Sequence, residues 1–288
     1  MKRLDKSELI FKIIAYTLVT LFAISTLYPL VYSVSAAISS RTAVESGQVT
    51  LLPINPSLEV FKAFFTDDTY SKKFWISYTN TLFYTFYGTI FSMGLTIFAA
   101  YALSKSNLLF KKQINFFIVF TMWFSAGIMP TYLNYLSLGI NNRWGIIYGF
   151  GVQAFNIILL RNYFNSVSKE IEEAAIVDGA SEMQILKSVY LPMSKSALAT
   201  VTLFYALSRW NGYFWNMRLV GSNEHPLQVI LRGIVDDAGN TDLILNYSFS
   251  LYSLSYAAIV LSIIPIIIVY PILQKYMSQG VNTGGVKE

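Results

Sequence analysis

Charge disappears from this chain in long stretches. No Asp, Glu, Lys or Arg lies between Lys12 and Arg41, Lys73 and Lys105, Lys112 and Arg143, or Asp242 and Lys275. A shorter gap separates Arg143 from Arg161, and the stretch from Lys195 to Arg218 is interrupted only by Arg209. A helix needs roughly 20 apolar residues to cross a bilayer. No stretch alternates in the way transmembrane barrel strands do. The pattern predicts an all-α integral membrane protein with six transmembrane helices, at about 13–37, 76–103, 114–135, 144–160, 196–216 and 251–274. Ser35-Ala36-Ala37 faintly resembles a signal-peptide cleavage site after a basic start. The apolar run is longer than a signal peptide's and five more follow, so a retained helix is expected.

Composition agrees and excludes other classes. Hydrophobic residues make up 54% of the 288 and charged ones 13%, against about 25% charged in an ordinary soluble domain. Mean hydropathy is +0.48. Intrinsic disorder needs the opposite balance. With no Cys and a single His, His225, neither a disulfide scaffold nor a familiar metal site is expected.

The basic residues carry the orientation. With the N-terminus inside, 13 Lys and Arg fall in inner segments and 7 in outer ones. This bias predicts both termini in the cytoplasm. The net charge of +5 is then a topology signal, and no basic face or motif implies nucleic acid. The chain reads as one transmembrane domain over 1–288, with outer loops at about 38–75 and 217–250. In the first loop, Leu58, Phe61 and Phe65 recur at helical spacing, which predicts a short amphipathic helix at the membrane surface. In the second, Asp236, Asp237 and Asp242 lack a metal-loop pattern and read as a solvated turn.

The inner segment 166–192 is polar and patterned. Ser168 is placed to cap a helix whose first turns carry Glu170, Glu172 and Glu173, suiting the positive end of its dipole. Gly179 is free to take positive φ and ends that helix. Ser181 and Gln184 form a capping-box pattern for a second helix. Leu191-Pro192 is expected to end it and redirect the chain into the fifth span. A partner gripping such a helix–turn–helix could move both attached spans.

The series Glu173-Ala174-Ala175, Asp178-Gly179-Ala180, Val189 and Leu191-Pro192 resembles the coupling motif of ABC importer permeases, with Val189 where isoleucine is commoner. The resemblance implies that this segment docks on a cytoplasmic ATPase subunit. Leu27-Tyr28-Pro29, Asn80-Thr81-Leu82, the run Ala99 to Ser104 and Trp210-Asn211 are similar to the maltose-type, carbohydrate-importing branch. So is the tail Gly280 to Lys287, which in that branch reaches between ATPase subunits. Phe120 to Pro130 and Pro226-Leu227-Gln228 resemble permeases for complex or acidic oligosaccharides. The implied partners are a second homologous permease, two ATPase subunits and an extracytoplasmic solute-binding protein, in a bacterial cytoplasmic membrane. No cofactor is expected on this chain. It lacks a GxxxxGK[ST] loop, so ATP and Mg belong to the partners.

Arg209 is the most costly residue, since a central Arg in a span opposes insertion by at least about 2.5–3.5 kcal/mol. Its neighbours Trp210, Asn211, Tyr213, Trp215 and Asn216 are the residue types of a sugar cleft, where aromatic faces stack on rings and amides bond hydroxyls. One expectation is that this stretch lines the substrate path and Arg209 meets an anionic sugar. The other is that Arg209 pairs with a partner subunit or helix carbonyls. Gln153 and Asn156 are further path candidates, or interhelical glue.

Three other functions compete. An ABC permease for a non-sugar solute shares every feature of the coupling segment. An ion-driven transporter would carry intramembrane acids, whereas all 16 acids fall outside the expected spans. An intramembrane enzyme would need a nucleophile–base pair or metal ligands there.

Overall fold

A computed structural model describes residues 6–66, 71–238 and 248–284. Asp242 and the tail residues Gly285, Val286 and Lys287 lie outside them. All regular structure among the described residues is helical. Among the described residues, three helices are long and apolar enough to cross a membrane: Ser7–Ile38 within α1 (Lys6–Ile38), α4 (Ser71–Ser104), and Leu251–Met277 within α15 (Leu251–Gly284).

The other expected spans are not single rods. The third is bent by 120° between α5 (Lys111–Trp123) and α6 (Ile128–Ser137). Gly127 sits at that break with φ +87°, a conformation that side chains disfavour. The fourth is bent by 49° between α7 (Arg143–Gly149) and α8 (Ala154–Asn165). Gly151 lies in this break, where a Cβ would come 2.7 Å from the Phe91 ring. The fifth, α12 (Lys195–Trp210), has 16 residues, fewer than a bilayer crossing needs. It stops at Asn211-Gly212, and α13 (Phe214–Leu219) follows.

The chain forms two compact units. The first comprises the described parts of Met1–Phe74 and Leu231–Ile264. In it the loop after α1 folds back on the small residues at the end of that helix. Ser35 Oγ donates to the Leu51 carbonyl at 2.6 Å, and the Ile54 amide donates to Ser39 Oγ at 3.0 Å. Ala36 and Ala37 are buried there, so the faint cleavage-site pattern is a packing pattern. Within this loop, α2 (Arg41–Glu45) is a short turn of helix. The expected amphipathic helix is α3 (Glu59–Thr66). It packs through Val60, Ala63 and Phe64, leaving Leu58 and Phe65 exposed.

The second unit comprises the described parts of Trp75–Ile230 and Pro265–Glu288. One of its cores joins Ala100, Leu160, Phe164, Ile185, Val201 and Tyr205. Polar groups inside it are paired, as buried ones must be. Thr96 Oγ1 and Tyr205 Oη lie 2.7 Å apart, and the Gln153 amide donates to Tyr205 Oη at 3.2 Å. A second core gathers Tyr84, Ile146, Ile147, Leu219 and Val220. The remaining helices are α9 (Lys169–Val177), α10 (Glu182–Ile185), α11 (Leu191–Met193) and α14 (Leu227–Asp237).

Candidate functional site

The inner segment folds as a helix–turn–helix. Helix α9 ends where Gly179 takes φ +77°. The Ala180 amide then reaches back to the Ala175 carbonyl at 2.9 Å, and the Gly179 amide to Ile176 at 3.0 Å. This left-handed C-cap returns the chain at once. Ser181 and Gln184 form a complete capping box that starts α10. Two local expectations need correction. Ser168 stands at the N-cap without capping, because its hydroxyl donates to the Glu170 carboxylate instead. Leu191-Pro192 does not end the second helix. The turn Leu186–Tyr190 widens to a π-helix, and α11 continues from it. A widened turn before a proline relieves the ring's clash with the preceding carbonyls. The helical conformation is interrupted two residues later, at Ser194, where φ is −107° and ψ is 23°.

At the turn, Ile176, Val177, Asp178 and Gly179 are exposed, as are Glu173 and Ala174. Ala175, Ala180 and Leu191 pack instead against the core of the unit. Pro192 is exposed. The motif therefore has an inner row that fixes it and an outer row open to a partner.

A polar lock holds this segment to the end of α4, and sequence reasoning missed it. Lys105 Nζ lies 2.5 Å from Glu172 Oε1 and 3.0 Å from Glu182 Oε2. Tyr190 Oη donates to Glu172 at 2.5 Å, and Tyr101 Oη donates to Glu182 at 2.5 Å. The ammonium also lies 4.4 Å from the centre of the Tyr101 ring, a cation–π contact. Burial works against the Lys105 charge, yet hydrogen bonds to Glu172, Tyr101 and Glu182 prevail and hold it above the ordinary lysine value. Burial likewise opposes the Glu172 carboxylate, but hydrogen bonds from Lys105 and Tyr190 keep it below the ordinary range. Glu182 is lowered by hydrogen bonds from Tyr101 and Lys105. The only signal in the sequence was a lysine just past an apolar run, and its partners lie 67 and more residues away.

The aromatic stretch forms a cavity of about 220 Å³ at the α7–α8 break. Arg209, Tyr213, Trp215, Asn216 and Gln153 line it, joined by Tyr135, which sequence reasoning also missed. Trp210 and Asn211 do not. Trp210 lines a separate apolar cavity with Leu82, Leu207 and Tyr270, and Asn211 is exposed. Gln153 Nε2 donates to Ser208 Oγ at 3.1 Å, and the buried Asn156 Nδ2 donates to Gln153 Oε1 at 3.3 Å. Asn216 Oδ1 is buried without a hydrogen-bond partner.

Arg209 itself is occupied. Its Nη1 donates to the Ile146 carbonyl at 3.1 Å. Its Nη2 donates to Ser92 Oγ at 3.2 Å and to the carbonyls of Ile147 at 3.3 Å and Phe150 at 2.5 Å. Past the end of α7 the Ile147 and Phe150 carbonyls lack a helical partner, whereas Ile146 also accepts from the Phe150 amide at 3.3 Å. Gly88 on α4 makes the room, since a Cβ there would lie 2.9 Å from Arg209 Nε. Of the two expectations for Arg209, the geometry matches the pairing with helix carbonyls.

Comparison with known proteins gives a consistent picture. The profile of a family described as binding-protein-dependent transport system inner membrane component matches residues 10–283. The chain is 33% identical over 285 residues to the polygalacturonan/rhamnogalacturonan transport system permease protein of Bacillus subtilis (strain 168), covering 96% of this chain and 98% of that one. It is 28% identical over 286 residues to the maltodextrin transport system permease protein of the same organism, covering 96% of both. Among solved structures, one is a bacterial ABC transporter involved in the import of the acidic polysaccharide alginate. A chain of it is 45% identical with a TM-score of 0.87, covering 96% of this chain and 99% of that chain.

Proposed function

Because the chain belongs to the family of binding-protein-dependent transport system inner membrane components, we propose that it is a permease subunit of a bacterial ABC importer for an oligosaccharide. The single observation that carries the sugar reading is end-to-end similarity to carbohydrate permeases, at 33% identity to the polygalacturonan/rhamnogalacturonan one. The 45% identity to a chain of the alginate importer extends the class to acidic saccharides.

Six spans cross the cytoplasmic membrane, two or three of them bent, with both termini inside. A second, homologous permease completes the path, and a solute-binding protein delivers the sugar to the outer loops. Two cytoplasmic subunits bind ATP and Mg and hydrolyse the ATP. They grip the outer row of the 169–192 segment, Glu173, Ala174, Asp178 and Gly179. Closure of the ATPase pair pushes this row, and the Lys105 lock carries the push into α4 while the Ser194 bend carries it into α12. Rocking these helices exposes the path first to one side and then to the other. Within the path, the cavity around Tyr135, Tyr213, Trp215 and Asn216 offers ring faces and amides to saccharide units. The test is uptake of labelled oligosaccharides by the complete importer in proteoliposomes. Uptake should require ATP on the ATPase side and binding protein on the other. Uptake of amino acids or peptides in place of every oligosaccharide would refute the reading.

A further inference from the structure

An acidic saccharide needs a cation in its path, and Arg209 spends its hydrogen bonds on Ile146, Ile147, Phe150 and Ser92. A second cavity, of about 340 Å³, lies between α6 and α13 and is lined by Ile128, Met129, Tyr132, Phe214, Trp215 and Arg218. It shares Phe214 and Trp215 with the 220 Å³ cavity, so one ring wall serves both. Arg218 is exposed. Among the described residues, no hydrogen bond or ion pair engages its side chain. That separates it from two other arginines of the chain. Arg143 pairs with Glu224 at 3.4 Å and Arg232 with Asp236 at 3.0 Å. No carboxylate lines either cavity, so the guanidinium faces this space with its charge unbalanced.

We propose that Arg218, with Tyr132 and Trp215, forms a subsite for the carboxylate-bearing unit of an acidic oligosaccharide at the outer mouth of the path. The proposal rests on the carbohydrate-import reading and names its substrate class. A guanidinium binds a carboxylate through two parallel hydrogen bonds. An aromatic face beside it accepts the apolar face of the pyranose ring. A uronic acid carries both features on one residue. A neutral hexose offers only the ring, so the subsite selects for charge. Arg218 stands on α13 at the start of the outer loop, before the deeper Arg209 cavity. An entering chain thus meets the free cation first and the Asn216, Gln153 and Ser208 amides and hydroxyl next.

The experiment uses the complete importer with its binding protein in proteoliposomes. Oligouronides of the galacturonate and of the mannuronate/guluronate series are each supplied as free acids and as methyl esters, beside neutral oligosaccharides. Arg218→Gln should reduce uptake of the free acid at least tenfold at sub-saturating concentration. It should leave uptake of a methyl ester or neutral oligosaccharide within twofold of wild type. Arg218→Lys should recover part of the loss, because it restores charge without the bidentate fork. Equal loss for charged and neutral sugars would assign Arg218 to folding or to lipid headgroups and overturn the proposal, as would an unimpaired Arg218→Gln. A wild-type importer that moves neutral oligosaccharides but no oligouronide overturns the subsite while leaving the sugar reading intact. One that moves no oligosaccharide overturns both.

Discussion

Arg209 illustrates what a single residue can and cannot announce. Its position inside an apolar run signals that it faces protein or water, because charge in a span is costly. Pairing with helix carbonyls was one expectation, but which carbonyls was not legible. They are carbonyls exposed by the α7–α8 break, and that break depends on Gly151 lying against the Phe91 ring, a contact between distant parts of the chain. The same account predicts a coupled pair of substitutions. Arg209→Ala orphans carbonyls that it now satisfies and should destabilise the importer by about 2 kcal/mol or more. Gly88→Ala should also destabilise, since its Cβ would sit 2.9 Å from Arg209 Nε. In the Arg209→Ala background the alanine at 88 should be nearly harmless, because the Cγ, Cδ and Nε atoms that crowd it are gone. Thermal melting of the wild type, the two single variants and the double variant measures this cycle. Additive losses would contradict the contact.

At the level of elements, local patterns were readable and distant ones were not. The turn at Gly179 and the box of Ser181 with Gln184 are set within a few residues, so sequence reasoning reaches them. Pro192 misled because its effect is absorbed by a π-turn upstream, a response of the packed Val189 and Tyr190 rather than of the proline alone. The Lys105 lock spans distant segments and appears only in three dimensions. Lys105→Met leaves Glu172 half-buried without its cation and should lower stability by about 2 kcal/mol. The pH dependence follows from the directions of the shifts. Glu172 and Glu182 are lowered, so their contribution is full above the unfolded carboxylate value of about 4.3 and fades as pH falls through the lower folded values. Lys105 is raised, so its contribution is full below the ordinary 10.5 and fades as pH rises beyond it. The melting difference between wild type and Lys105→Met should therefore be constant from about pH 6 to 9 and shrink below about pH 4. A difference that changes around neutrality would mean that another group governs the joint.

Across the whole molecule, apolar runs locate helices well and their shapes poorly. Hydropathy counts residues, whereas the 120° and 49° bends arise at Gly127 and around Gly151, which interrupt no apolar run. The break at Asn211-Gly212 has the same character. A Cβ on Gly212 would lie 2.7 Å from Asn216 Nδ2, so the glycine is required by the fold beside the cavity. The aromatic stretch 209–216 was legible as a candidate substrate surface. Its division was not: Trp210 faces one cavity, and Tyr213, Trp215 and Asn216 face another. The acids of 170–182, by contrast, stand out in any reading, because charge is so scarce elsewhere in the chain. They mark the segment through which ATP hydrolysis in partner subunits is taken to drive the spans.

That claim is tested most directly by ATP hydrolysis of the reconstituted importer carrying Glu173→Lys. Glu173 is exposed and outside the Lys105 lock, so the permease should insert, fold and melt as wild type. Stimulation of hydrolysis by substrate-loaded binding protein should fall at least tenfold. Wild-type stimulation in this variant, with the complex intact, would contradict the account.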